Sequence, residues 1–434
     1  MIDLKTSRRG MLKMALATGG ALTLPVAGRR ALAQTPVQGG VLQAAISETI
    51  DTLDAYSTSA TLVRIILHHT AGSLYTYSAN YGVIPQLAEG HEVSADGRTW
   101  TFRLRQGVTY HDGSEMVADD VVASWDRFMN LSRLAKSLSA GLESVEATGP
   151  HEVVFTFAAV PGPFLPKLST PHTMFKIYPA AISRAAADRP LEYEEMIGTG
   201  PYRFGEWRRG ESLTLERFDG YAADTRFDGP DGLGGRQTAY LDQIVWNFVA
   251  EPGAQDAGLQ SGRFHFADAV PVETRAMLEA RAGFAGTIIQ PLNWMNLMVN
   301  HHNPPLDDIR IRRAIQIGLN QELVLLAAIG DPELIRMQPS LAFTEQVWFN
   351  EAGAQYYNVN DKEQARALVA EAGYDGSEIV LMTTRTLENL YKGAVVVPQE
   401  LQQLGLNVRL EVLDWAAPIG PTPNHAPRAP WPLP

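Results

Sequence analysis

The stretch from Asp96 to Met129 commits the chain to a strand, a tight turn and a helix in immediate succession. Trp100, Phe102 and Leu104 alternate with Thr101, Arg103 and Arg105. Period-two alternation predicts a strand with one apolar and one polar face. His111-Asp112-Gly113 then reverses the chain, because Gly tolerates a positive φ and Asp can bond its own backbone. A helix is predicted from about Ala118. Asp119 and Asp120 in its first turn suit the positive end of the helix dipole. Val121, Trp125, Phe128 and Met129 fall on one stripe at helical spacing. The segment carries no nucleophile beside His111-Asp112, so the pair reads as a turn and not as an acid–base couple.

Three marks stand at fixed spacing in this stretch: Trp100-x-Phe102-x-Leu104-Arg105, His111-Asp112-Gly113, and Ala118-x-Asp120-Val121-x-x-Ser124. The combination closely resembles the family 5 solute-binding proteins of ABC importers, the dipeptide, oligopeptide and nickel binders. The resemblance extends over about residues 36 to 416. It takes in the strand Gly39–Ile46, the Thr52-Leu53-Asp54 turn, Leu87-Ala88-Glu89, Ile197–Tyr202, Tyr240–Trp246, Leu259–Gly262 and Asn303–Asp308. His265 departs from it, standing where the family usually has an acid.

The resemblance implies an α/β, type II periplasmic-binding-protein-like fold, with two lobes around a hinge and an extra small domain. It divides the chain into a first lobe (34–80 and 195–285), an inserted small domain (81–194) and a second lobe (286–416) that is incomplete. In peptide-binding members the loop after the Thr-Leu-Asp turn helps wall the pocket. That marks Tyr56, Ser57, Ser59 and Thr61 as ligand-binding candidates.

The rest of the chain fits an exported binder. At 434 residues it exceeds one ordinary core and predicts two or three domains. A net charge of -12 argues against nucleic acid, which needs a basic face. No cysteine is present, which excludes disulfides, thiolate metal sites and a lipid-modified Cys anchor. Ser7-Arg8-Arg9-Gly10-Met11-Leu12-Lys13 is close to the twin-arginine export motif. An apolar run from Met14 to Gly28 and a small-x-small site at Ala31-Leu32-Ala33 follow it. The run is short for a membrane span, so residues 1–33 are expected to be a cleaved signal peptide.

Towards the other end, Asn293–Asn300 is expected to be a strand, with Trp294 in the core, and Asp308 to pair with Arg312 on a helix. An apolar helix is expected earlier, from Leu62 to Leu74. Asp361-Lys362-Glu363-Gln364 resembles a capping box. Glu378–Thr383, Leu387–Leu404 and Asn407–Leu413 predict a β-α-β unit with parallel strands and a right-handed crossover. Ligands bind outside the carboxyl ends of such strands, where Asp414-Trp415 stands. The resemblance also puts a Trp in the pocket here, so Trp415 joins the candidates. Seven of the chain's 27 prolines lie between Pro418 and Pro434. Residues 417–434 therefore read as a non-family tail, and a premature, out-of-frame end is expected.

Adjacent histidines at His68-His69 and His301-His302 point apart and do not form a metal set. The expected function is capture without catalysis: a periplasmic, monomeric binder, without cofactor, that closes on peptides and docks on an inner-membrane permease after export by the twin-arginine machinery. A nickel, haem or sugar binder of the same fold, and a truncated non-binding product, are the alternatives.

Overall fold

Strand Val41–Ile46 is the hub of the N-terminal body. In the computed structural model, which describes residues 36–268, 270, 272–287, 294–385 and 387–413, it pairs in parallel with Gln243–Phe248 and with Phe266–Ala267. The sheet continues antiparallel through Ser212–Arg217 to Tyr202–Arg208. Val41 sits opposite Gln243, so segments far apart in sequence meet in one ladder. Asp242 secures that register. One of its oxygens accepts the Gly40 N–H at 2.9 Å, and the other pairs with Arg217 at 2.8 Å.

The intervening chain builds a second, four-stranded antiparallel sheet in the order Ala88–Val93, Thr99–Leu104, Glu152–Phe157, Leu142–Gly149. The alternation in Thr99–Leu104 works as expected: Phe102 and Leu104 are buried, while Arg103 faces solvent. Helix Ala118–Leu131 lies on this sheet through Val121, Trp125 and Phe128, with the Trp125 ring 5.1 Å from Phe155. Its first turn is held by Asp120, whose carboxylate accepts the N–H groups of Val117 at 2.8 Å and Ala180 at 2.7 Å.

The same helix carries a charge where its position permits no water. Arg127 and Asp54 form an ion pair in which both side chains are 0 % exposed. Asp54 also accepts the N–H groups of Tyr56 at 2.8 Å and Leu191 at 2.7 Å. Arg127 also donates to the carbonyls of Ala186 at 2.9 Å and Arg189 at 2.8 Å. A buried pair is tolerated only when its remaining lone pairs and protons are satisfied in this way. Asp54 belongs to the loop after the first strand, and Arg127 to the helix on the second sheet. The pair therefore ties the two sheets and the 186–191 segment together.

The C-terminal body has its own core. Helices Ile309–Gly318, Gln321–Ile329, Lys362–Glu371 and Glu388–Gln402 surround the strands Ile379–Thr383 and Val408–Val412. These two strands are parallel, with Ile379 opposite Val408, as the β-α-β pattern requires. The Asp361 carboxylate accepts the Gln364 N–H at 2.9 Å and caps its helix.

Three local expectations fail. Residues 294–300 form no strand, since no described strand pairs with them, and Trp294 is 48 % exposed instead of core. Asp308 pairs with Arg310, capping the helix through the Arg310 N–H at 2.7 Å, while Arg312 turns to the Leu306 and Asp307 carbonyls. The early apolar helix spans Thr61–Thr70 and stops short of Leu74. Gly72 then runs against the Leu87 side chain, 2.8 Å from where a Cβ would stand, and Leu74 enters the core.

Asp54→Asn and Arg127→Met, each leaving one buried charge unpaired, are expected to lower the unfolding free energy by about 3–5 kcal/mol in urea denaturation. Replacing both together should cost less than the sum of the two.

Candidate functional site

A cavity of about 980 Å³ opens between the two bodies. Its first wall is the hairpin of Tyr75–Tyr77 and Val83–Pro85. The hairpin reverses through Ser78–Gly82, where the Asn80 side chain accepts from Ser78 Oγ at 2.6 Å and from the Gly82 N–H at 3.1 Å. Tyr81 adopts a φ of 65°, uncommon for a residue with a side chain. Both Tyr77 and Tyr81 line the cavity, their rings 6.4 Å apart.

A glycine-rich turn braces this hairpin. Pro230–Asp231 pairs with Gly234–Gly235. Asp231 accepts the Ala79 N–H at 2.8 Å, and the Leu233 N–H donates to Tyr77 at 2.9 Å. A Cβ on Gly232 would stand 2.4 Å from the Ser78 carbonyl carbon, so only glycine allows this approach. No periodicity marks this turn in the sequence, and its one signal is the density of glycines at positions 229, 232, 234 and 235.

The opposite wall comes from Trp294 and residues 339–352. Trp294 stacks on Phe343 at 5.3 Å, and Arg336 covers that ring at 5.4 Å while pairing with Glu345 at 2.6 Å. Gln346 folds this loop on itself by accepting the Phe343 N–H at 2.7 Å. Trp348, 47 % exposed, and Leu341 add apolar surface to the cavity. At its edge the Val347 N–H donates to Asn80 at 3.2 Å, which joins the two walls. Aromatic faces and neutral polar groups such as Ser78, Thr170, Ser340 and Asn350 dominate the lining. Among the described residues, no Asp, Glu, Lys or Arg lines it.

The residues singled out from sequence sit as follows. Tyr56 is 4 % exposed, its hydroxyl donates to the Lys176 carbonyl, and its ring packs on Phe128 and Tyr178. It is a core residue because the Asp54 carboxylate draws its backbone inward. Ser57, Ser59 and Thr61 are exposed but are absent from the cavity lining. The last two instead hold the Arg64 side chain, which donates to the Thr61 hydroxyl at 2.8 Å and the Ser59 carbonyl at 3.4 Å. Trp415 lies outside the described residues. His265 accepts the Gln43 N–H at 3.1 Å and so serves the first sheet. Among the described residues, no three His, Cys, Asp or Glu side chains gather to hold a metal.

These observations meet a consistent set of relatives. The family model for bacterial extracellular solute-binding proteins, family 5 Middle, matches residues 82–427. The chain belongs to this family. It is 27% identical over 421 residues to "Probable peptide ABC transporter periplasmic-binding protein y4tO" of Sinorhizobium fredii, covering 94% of this chain and 76% of that one. It is 28% identical over 378 residues to the glutathione-binding protein GsiB of Salmonella paratyphi A, covering 85% and 69%. Among solved structures, the binding protein AgaA of A. tumefaciens R10, in complex with agropinic acid, aligns with a TM-score of 0.66 at 26% identity. That alignment covers 88% of this chain and 74% of AgaA. The fold is the type II arrangement of periplasmic binding proteins.

In this family member His111 is a clamp on the chain's return to the first sheet. Its Nδ1 accepts the Gly198 N–H at 3.2 Å, and its Nε2 lies 3.1 Å from the Gly200 carbonyl, to which it donates. A Cβ on Gly198 would stand 2.0 Å from the Thr70 carbonyl oxygen, so the crossing fits only glycine. Both ring nitrogens are satisfied by the neutral form, and burial pushes the imidazole from 6.5 down to about 4. Burial also lowers His68 and His69. For each, the folded value lies below the unfolded one, so the unfolded chain binds more protons as the solution is acidified. Stability is fully present above pH 6.5 and is lost as the pH falls towards 4. The urea midpoint is expected to drop between pH 7.5 and pH 5, and His111→Gln should flatten part of that slope.

Proposed function

We propose that the chain captures short peptides in the cleft and delivers them to the permease of an ABC importer. The observation that carries this reading is the cavity of about 980 Å³, walled by tyrosines on one body and tryptophans on the other. That volume lies at the upper end of the range for small-ligand sites. Extended peptides are held through backbone hydrogen bonds, and aromatic walls accept varied side chains. The peptide and glutathione named for y4tO and GsiB support the same ligand class.

Binding would draw the bodies together by hinge motion and stabilise a closed form, and the permease would read that form. No bond is made or broken in this cycle. The lobes at 34–80 with 195–285 and at 286–416 would be the moving parts, and 81–194 would ride with the first. Ser57, Ser59, Thr61 and Trp415 remain ligand-binding candidates. The Ser7–Lys13 motif supports export through the twin-arginine machinery into the periplasm, where the protein would work as a monomer.

Thermal-shift and calorimetric titration with glutathione and tri-alanine test the reading. A peptide at 100 times its Kd is expected to add about 2.7 kcal/mol of stability. Trp348→Ala, which removes a cavity wall without touching either core, is expected to weaken binding about tenfold or more. Unchanged stability with both peptides, or a Trp348→Ala variant that binds as tightly as the parent, would contradict it.

A further inference from the structure

His172 is the cavity's only histidine among the described residues, and it is not free to choose its tautomer. Arg64 Nη1 lies 2.9 Å from His172 Nδ1. A guanidinium can only donate, so Nδ1 must accept and the proton must sit on Nε2. Nε2 takes no hydrogen-bond partner among the described residues, and the ring is exposed at the cavity wall. Burial and the neighbouring Arg64 both hold the imidazole below its ordinary value, in the neutral form that this geometry needs.

Arg64 is itself short of negative charge. It is partly buried, its second amino group is committed to the Thr61 hydroxyl, and no carboxylate lies within ion-pair distance among the described residues. Glu48 acts on it from further away, its own carboxylate accepting the Leu62 N–H at 3.3 Å. In a chain with net charge -12, a guanidinium without an ion-pair partner among the described residues thus stands behind a neutral N–H donor. Such a donor, polarised by a guanidinium, favours an anionic acceptor over a carbonyl.

We propose that His172, backed by Arg64, is a carboxylate receptor at the N-terminal wall of the cleft. The proposal rests on the capture reading and narrows its ligand class to peptides with a carboxylate at this end. That carboxylate is either the peptide's C-terminus or an acidic side chain. The lining's lack of described acidic residues agrees with it, because nothing there would repel the anion.

The test has two arms. In the first, the His172 imidazole resonances of the full chain, assigned with His172→Gln, are followed during titration with acetate and with acetamide. Acetate is expected to give a saturable shift and acetamide none. Arg64→Leu should weaken the acetate response about tenfold or more. Should Arg64→Leu unfold by circular dichroism, Arg64→Lys replaces it, and a weaker but present response is expected. Equal responses to acetate and acetamide, no response to either, or an unchanged response in both variants overturns the receptor. The second arm measures by calorimetry Ala-Ala-Ala, its C-terminal amide, and Ala-Glu-Ala amide. Affinity lost on amidation and not restored by Glu assigns the C-terminus, whereas restoration assigns a side chain. If no peptide binds while acetate still shifts His172 through Arg64, the receptor stands and peptide capture falls.

Discussion

The Asp54–Arg127 pair is the constraint on which the N-terminal body depends. A loop beyond the first strand, a helix on the second sheet and the 186–191 segment meet at two charges with no exposed surface. Removing such charges from water costs several kcal/mol per ion, recovered only when every polar atom is matched. The match fixes where each element sits. Tyr56 is drawn into the core beside Arg127, and the hairpin that carries Tyr77 and Tyr81 rests on the same body. That body supplies one wall of the cleft.

The other wall is built differently. Trp294, Leu341 and Trp348 stand on irregular chain and are held by side-chain contacts such as Trp294 on Phe343 and Arg336 on Glu345. Few of its groups enter a core, and segments of this kind occupy the low end of local stability. A wall set on a packed body, facing one set on irregular chain, suits a binder that must close on varied ligands. Exposed apolar side chains on a loop are costly in water, and a ligand that covers them offsets that cost.

Periodic elements were legible from sequence. The Thr99–Leu104 strand, the Ala118–Leu131 helix, the Asp361 cap and the parallel strand pair of the C-terminal body depend on local spacing, which sequence displays directly. The misses were tertiary. Arg127 lies on a helix as an ordinary polar residue does, and only the fold brings Asp54 to it. The burial of Tyr56 carries no local signal either, since only the Asp54 carboxylate turns that small-residue loop inward. Trp294 looked like core because an apolar run resembles a strand, but no described strand pairs with it. The Gly229–Gly235 brace carries no periodicity at all.

A ligand between Tyr81 and Trp348 is expected to bring the two bodies together. Because the chain has no cysteine, Glu89→Cys and Glu351→Cys give unique labelling positions on the exposed surface of each body. The distance between spin labels at these sites, measured by pulsed dipolar spectroscopy with and without saturating tri-alanine, reads the motion directly. A shorter and narrower distribution with peptide is the result expected. An unchanged distribution in a sample that calorimetry shows to be saturated would contradict closure on the ligand.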